Sequence, residues 1–398
     1  MAGRQMGQVI TAQTLSGVGG WVVLIGAQGA AAYQLGGGAV FLAVIAIAWG
    51  APPVLLGRYA GRVIDRTGPR RVAVTASLLA VLAAAPVALT PAIESPPALT
   101  GLLFLQGCAR AFALPAADSL PSWLEERPSL HSSSAWLGFA GNVPLIAGPL
   151  LAAWSIAELG PRWTFAFVCG IFGAAALLFG MVREVPGKGG HAADAEGTAP
   201  WSAVADPAVR AILLAAAFAW VSFGAFAVLE ILYVSDVLRR GITTFALLQA
   251  AFGCGLLAVS AVLLRVPVLL RHPAVLWGSF ALIGVSEVLY VVTRSVEYAF
   301  LGVTLWGISV AFFGPASRYQ LLHNVPQERH GSVMGLWRAV QAGGSLAPAL
   351  GIGLLAAWAG VQAVLVTVGA LTALSCALLL MAHARARGPR DAPQAEAR

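Results

Sequence analysis

Long apolar stretches alternate with short polar connections along the whole chain, and this alternation limits the fold more than any other feature. Runs of about 20 apolar residues match the hydrocarbon thickness of a bilayer. Backbone inside lipid must satisfy its own hydrogen bonds, which a helix does within one segment. Hydropathy predicts spans over residues 9–31, 38–57, 72–90, 98–120, 133–155 and 163–183, then 208–233, 242–265, 274–293, 298–321, 333–357 and 361–382. Of the 398 residues, 59% are hydrophobic and 10% charged, a balance that no ordinary soluble domain needs. The 45 glycines suit helices that pack closely in lipid.

The polar, Gly/Ala/Pro-rich stretch 184–207 bisects the chain. The expected organisation is therefore a six-span bundle over 1–183, a cytoplasmic linker over 184–207, a second bundle over 208–384 and a tail over 385–398. The halves also repeat. Pro115-Ala116 returns as Pro315-Ala316, Glu126-Arg127 as Glu328-Arg329, Trp136 as Trp337, and Leu150-Leu151-Ala152-Ala153-Trp154 as Leu354-Leu355-Ala356-Ala357-Trp358. These matches keep their order at nearly constant spacing, about half the chain length, as duplication of one unit would leave them. The predicted fold class is an all-α polytopic membrane protein, with twelve transmembrane helices in two pseudo-symmetric six-helix bundles.

Net charge is +7. With both termini inside, the outer connections hold only Arg162, Arg239, Arg240 and Arg294, Arg110 lies within a span, and all other Lys and Arg fall on the cytoplasmic side. That bias predicts a multi-pass protein of the bacterial cytoplasmic membrane, with lipid as its surroundings. No basic run is interleaved with aromatics, so nucleic acid is not an expected partner. Cys108, Cys169, Cys254 and Cys376 lie in apolar stretches without CxxC or CxxH spacing and read as small core residues. The N-terminus lacks a cleavable-signal pattern, and its first apolar stretch is expected to stay as a helix. Lys188, in the linker, is the single lysine, and no Walker-type G-x-x-x-x-G-K-(S/T) occurs, which argues against direct ATP use. No metal-ligand or nucleophile constellation appears either, so neither cofactor nor enzymatic activity is expected.

One connection is unusual. Between the second and third spans, GRVIDRTGPRR concentrates Arg62, Asp65, Arg66, Arg70 and Arg71 around Gly61 and Gly68. It resembles the loop signature of the major facilitator superfamily, G-x-x-x-D-(R/K)-x-G-x-(R/K)-(R/K), and Gly61, Asp65, Arg66, Gly68, Arg70 and Arg71 fill every fixed position. Pro69 stands where many members are basic. The second-half counterpart, Arg265 to Arg271, keeps basic charge without Gly or Asp. The segments LLFLQGCARAFALPAADSLPSWLEERPSL and FFGPASRYQLLHNVPQERHGSVMGLWRAV resemble the enterobactin-exporter-like and macrolide-efflux-like branch. The fifth span carries Ala147-Gly148-Pro149, a reduced antiporter signature, with Pro144 at its first glycine and Ala152-Ala153 at its last two.

The resemblance implies a gate at the cytoplasmic seam between the halves. Asp65 would face the start of the eleventh span near Gly331-Ser332-Val333, where free N–H groups attract an anion. Arg66 and Arg70 would bridge to Asp118. Such a cluster would latch the halves in an outward-facing state and open during inward exposure; exposed ion pairs are weak, about 0–1 kcal/mol each, and suit a latch that must release. The alternative is that the arginines only fix topology, although topology requires neither Asp65 nor the glycines.

The resemblance also implies that the first, fourth, seventh and tenth spans line a central cavity. Arg110 shares a helix face with Gln106, and a guanidinium at membrane depth must face protein or water. It is the first candidate for a substrate or coupling contact, the alternative being a structural bond to backbone carbonyls. Glu287, beside Ser286 and Tyr290, is a candidate proton carrier or a structural hydrogen-bonding group. Glu230 shares a stripe with Trp220, Phe223, Phe226 and Tyr233, either an aromatic wall for a lipophilic ligand or packing; Trp306, Phe312 and Phe313 pose the same choice. The first span offers neutral Gln13, Thr14, Ser16 and Gln28 and no carboxylate, so a proton carrier is not expected there. The leading functional expectation is a monomeric, proton-driven exporter of a small amphipathic molecule such as a drug, siderophore or antibiotic. An importer or uniporter on the same scaffold, or a non-transporting membrane sensor or scaffold, are the alternatives.

Overall fold

A computed structural model describes residues 2–90, 95–124, 143–183, 206–326 and 330–386. The first half contains α1 (Ala2–Gly29), α2 (Ala39–Thr67), α3 (Pro69–Leu89), α4 (Pro96–Ser119), α5 (Pro144–Glu158) and α6 (Pro161–Met181). The second contains α7 (Pro207–Leu232), α8 (Ile242–Arg265), α9 (Pro273–Val291), α10 (Val296–His323), α11 (His330–Leu346), α12 (Ile352–Ala359) and α13 (Val361–Ala386). No β-sheet forms among the described residues. Ten of these helices are long and apolar enough to cross a membrane, and the pair α11–α12, bent by 44°, makes an eleventh span. The twelfth is α5, whose described part is shorter; residues 133–142 of that predicted span lie outside the described residues.

Local sequence sets the ends. Pro69, Pro96, Pro144, Pro161, Pro207 and Pro273 each sit in a first helical turn, where a missing N–H costs nothing. The bend after α11 falls on Ala347–Leu350, a 3-10 turn containing Pro348. Gly68, at φ +87 and ψ 142, turns the chain from α2 into α3, a conformation that a side chain strongly disfavours. Its N–H caps the Ile64 carbonyl at 2.9 Å. The structure corrects the sequence reading here: Gly61–Thr67 are not loop but the last turns of α2, which continues past the membrane-spanning stretch.

Packing repeats across the halves. In the first, α1 packs on α5 and α6, α3 on α4 and α6, and α2 on α4; in the second, α7 packs on α11 and α13, α9 on α10 and α13, and α8 on α10. The same neighbour list therefore arises twice, with α13 in the sixth position. Between halves, α5 packs on α8 while α2 meets α11 and α12, again a symmetric exchange. Turn geometry follows suit. Gly160 before α6 has φ +81, and Gly360 before α13 has φ +87. Both α1 and α7 end in a π-helical turn, Ala30–Gln34 and Tyr233–Val237. Trp154 and Trp358, from the repeated pentapeptide, are both exposed near the ends of α5 and α12, where interfacial tryptophans belong. Leu82, Leu177 and Leu264 are exposed as well, which suits a surface that meets lipid tails.

The cysteines depart from expectation in part. Cys376 is buried, with its thiol 3.5 Å from the Trp277 carbonyl, but Cys254 is exposed on α8. An apolar stretch has a lipid face as well as a core face, and composition does not separate them.

Candidate transport cavity

Between the two halves lies a cavity of about 660 Å³, lined from α1, α2 and α4 on one side and α7, α8, α10 and α11 on the other, with smaller parts from α3, α5 and α6. Both halves supply apolar and aromatic residues to its wall, and those of the second half form one connected aromatic cluster. Trp306 packs within 5.0 Å of Phe252 and 5.6 Å of Phe223, ring centroid to centroid, and Phe223 lies 5.5 Å from Trp220. Trp21 and Trp49 face them from the first half. Neutral polar groups from Gln13, Ser16, Gln28, Gln106, Gln249 and Gln341 are spread over the lining. Two lining residues bear a formal charge, Arg110 and Glu230.

Helix packing explains how Arg110 is held. Gly107, one turn earlier on α4, faces the α2 backbone; a Cβ there would fall 2.8 Å from the Trp49 carbonyl oxygen. This close approach puts the Arg110 guanidinium over the Trp49 ring, 5.4 Å from its centroid. Arg110 is open to the cavity, while Gln106 on the same helix is buried and donates to the Ala80 carbonyl at 2.8 Å. The shared face predicted from the sequence thus contains one structural residue and one that projects into space.

Glu230 is only 3% exposed. The Tyr290 hydroxyl of α9 donates to its Oε1 at 2.6 Å, and Tyr233 donates to the carbonyls of Tyr290 and Thr293. Glu287 lies outside the cavity, fully buried where α9 meets α7 and α13. Gly369 of α13 comes against its Cβ. Neither carboxylate oxygen meets hydrogen-bond geometry, although the Ser222 hydroxyl faces it. Of the predicted aromatic stripe, Trp220, Phe223 and Trp306 line the cavity, whereas Phe226, Tyr233, Phe312 and Phe313 do not. Phe226 stacks on Tyr290 at 5.9 Å and Phe313 on Phe280 at 5.5 Å, because a helix aromatic on every side must bury some of its rings. Gly148 and Pro149 also lie away from the cavity lining. Gly148 serves the α1–α5 contact, where a Cβ would fall 2.3 Å from Trp21 Cβ. Sequence reasoning missed Trp49, Gln249 and Gln341; no local signal marks them, since the rotation of α2, α8 and α11 decides which residues turn inward.

Of the signature residues, Asp65, Arg66 and Arg71 are exposed, and Asp65 forms no ion pair among the described residues. Gly61 has open space around it. Arg70 donates to the Gly180 carbonyl at 2.5 Å, tying the α2–α3 turn to the carbonyl end of α6, where a cation is favoured. Asp118 accepts from Gln13 Nε2 at 3.2 Å, and the cation acting on it is Arg338 of α11 rather than Arg66 or Arg70. Arg318, whose guanidinium lies 5.5 Å from the Trp337 ring centroid, is within electrostatic range of Arg338. The cavity reaches this end of the molecule, where the predicted latch would be open, and there α4 and α11, one from each half, bring Asp118 and Arg338 within electrostatic range. The surroundings of Gly331 and Ser332, and the residues Glu126, Arg127, Trp136, Glu328 and Arg329, lie outside the described set.

On the opposite face the halves touch. Tyr33 donates to the Arg240 carbonyl at 3.0 Å, and Gln28 to the Ala227 carbonyl at 3.1 Å. Gly29 abuts Ile242, and Gly353 abuts the Ala39–Val40 backbone. The cavity instead extends to Ala117 and Phe179, near the ends of α4 and α6 on the side of the α2–α3 turn.

Two repeated helical bundles enclosing a membrane-depth cavity define a membrane transporter of small molecules. The Major Facilitator Superfamily matches over residues 9–337, and the chain belongs to that family. No curated protein sequence matches it. Its fold is similar to the crystal structure of the nucleoside transporter NupG, with TM-score 0.78 and 10% identity over 95% of this chain and 98% of that one. It is similar also to the POT family transporter PepTSo, with TM-score 0.73 and 14% identity over 98% and 99% of the two chains. A POT family transporter in complex with 5-aminolevulinic acid gives TM-score 0.74 and 13% identity over 96% of each. These likenesses concern the fold, and with the family they make the protein a transporter and not an enzyme.

Proposed function

We propose that the protein is a proton-driven exporter of a small amphipathic compound, working by alternating access in a bacterial cytoplasmic membrane. The observation that carries this reading is the cavity between the halves, whose volume suits a drug-sized molecule and whose wall is aromatic with a few polar groups. The likeness of the α4 and α10 segments to the efflux branch supports the outward direction. In this mechanism the halves, residues 1–183 and 208–384, rock as units about the linker 184–207. Both termini and the tail 385–398 face the cytoplasm, and the monomer is the working unit.

The contacts of Tyr33, Gln28 and Gly29 with the second half form the outer closure, so the cavity described here faces the cytoplasm. Closing that side brings α4 and α11 together and tightens the approach of Asp118 to Arg338, with Asp65 as a further acceptor at the same seam. Glu230 is the coupling carboxyl: it reaches the cavity and its Tyr290 partner is itself held by Tyr233. Glu287, away from the cavity, serves packing.

The test compares secreted metabolites and drug sensitivity in deletion and complemented strains. Export predicts loss of one or more secreted compounds or heightened sensitivity, and ligand accumulation that rises when a protonophore is added. Unchanged profiles in both assays would sink the exporter reading, and growth on an external solute that depends on the gene would mark uptake instead.

A further inference from the structure

Beside neutral amides such as Gln13, whose Oε1 is unpartnered among the described residues, the cavity holds one cation and two unpartnered indole donors. Arg110 offers five N–H groups and makes no ion pair or hydrogen bond among the described residues; its one recorded contact is the face of Trp49. The indole N–H groups of Trp220 and Trp306, both on the lining, are buried and donate to nothing. On the acceptor side, Glu230 is nearly enclosed, and its Oε1 already receives the Tyr290 hydroxyl. Asp118 does not line the cavity and is engaged by Gln13. Among the described residues, the positive charge at Arg110 therefore has no ion-pair partner.

A guanidinium at membrane depth is costly unless something answers it. Trp49 supplies only a cation–π contact, about 0.5–1 kcal/mol at an open site and more when desolvated, which positions the group without neutralising it. The planar fork of an arginine pairs best with the two oxygens of a carboxylate or a related oxyanion. On the second-half side of the same cavity, the rings of Trp220, Phe223, Phe252 and Trp306 pack edge-on or tilted against one another and offer an aromatic surface to an apolar body.

We infer that the cargo is an aromatic or similarly flat apolar monoanion, its carboxylate or other oxyanion on Arg110 and its body against the second-half aromatic wall. This deepens the transport reading and rests on it for the word cargo, but not for the site itself. Gly107 and Trp49 belong to the site as positioning residues, since they hold the guanidinium where an anion meets it.

The test uses the full chain in lipid nanodiscs with three matched probes: 2-naphthoate, its neutral amide 2-naphthamide, and the cationic 2-(aminomethyl)naphthalene. Wild-type protein is expected to bind the carboxylate at least about tenfold more tightly than the amide, the scale of one charge-assisted hydrogen bond, and the ammonium most weakly. Arg110→Gln should bring the carboxylate-to-amide ratio close to one, and Arg110→Lys should keep part of it. Equal or tighter binding of the amide or ammonium by wild type overturns the proposal. So does failure of the naphthoate to bind, or an unchanged ratio in Arg110→Gln. The wild-type ranking alone decides the matter if that variant fails to fold. Flux in liposomes separates the two readings. Anion-selective binding without flux removes transport and keeps the site. Flux of substrates without any carboxylate preference removes the site and keeps transport.

Discussion

Arg110 and Glu230 occupy the same cavity but are held by opposite means. Arg110 is positioned by a ring and a close helix approach, and Glu230 by a hydroxyl donated from a neighbouring helix. Two predictions follow from that difference. In Gly107→Ala the new Cβ would press on the Trp49 and Ala48 carbonyls, backbone atoms with little freedom to yield. Overpacking of this kind costs about 1–3 kcal/mol, so thermal melting of the purified protein should fall and affinity for 2-naphthoate should weaken with it. Glu230→Gln keeps an acceptor for Tyr290 and should fold normally. It should lose most proton-driven flux in liposomes, tenfold or more, while substrate counterflow, which needs no net proton movement, continues. Proton-driven flux at the wild-type rate would remove Glu230 from the coupling role. Both carboxyls were legible as intramembrane acids in the sequence. What separates them, cavity access for Glu230 and full burial for Glu287, depends on how α7 and α9 are rotated, and a single chain's residue pattern does not contain that rotation.

At the scale of elements, turn chemistry was easier to read than helix orientation. Gly68 announced itself by the signature around it, and its positive φ explains why glycine stands there. Gly160 and Gly360 hold nearly the same conformation at matching points in the two halves, though only the repeat hinted at their pairing. Alanine at Gly160 or Gly360 should each lower stability by about 1–3 kcal/mol, seen as a fall in melting temperature; two unchanged melting curves would show that the turns tolerate a side chain. The break at Ala347–Leu350 and the π-helical turns that end α1 and α7 were not legible. Pro348 alone marks a possible kink in a long apolar run, and a π-turn has no reliable residue signature. The helix-like continuation of α2 through Gly61–Thr67 was hidden for another reason. Charge there reads as a loop when hydropathy is the ruler, yet a helix projecting from lipid can carry charge freely.

For the whole molecule, the duplicated unit was visible as scattered matches, and the structure shows it as a neighbour list used twice. The halves meet through α5 on α8 and α2 on α11–α12, and the contact of Gly29 with Ile242, on the side proposed to be the outer one, lies at the α1–α8 corner between them. A Cβ at Gly29 would overlap the end of the Ile242 side chain, which places thiols at the two positions within reach of a disulfide. In a background free of Cys108, Cys169, Cys254 and Cys376, Gly29→Cys with Ile242→Cys should lose transport on oxidation and regain it on reduction. Full transport by quantitatively cross-linked protein would rule out alternating access through that face.

On the proposed alternating access, and with Glu230 protonated, the guanidinium over Trp49 would also couple the carrier to voltage. While the cavity opens to the cytoplasm, Arg110 sits at the interior potential; once it opens outward, the same charge sits at the exterior potential. A full membrane drop is worth about 2.3 kcal/mol per charge per 100 mV, and even a fraction of that biases the empty protein toward the cytoplasmic side of a cell that is negative inside. A bound monoanion cancels the charge and releases the bias. The resting potential would thus favour the cytoplasm-facing state of the empty carrier, on the proposed orientation, and leave the loaded carrier free to turn.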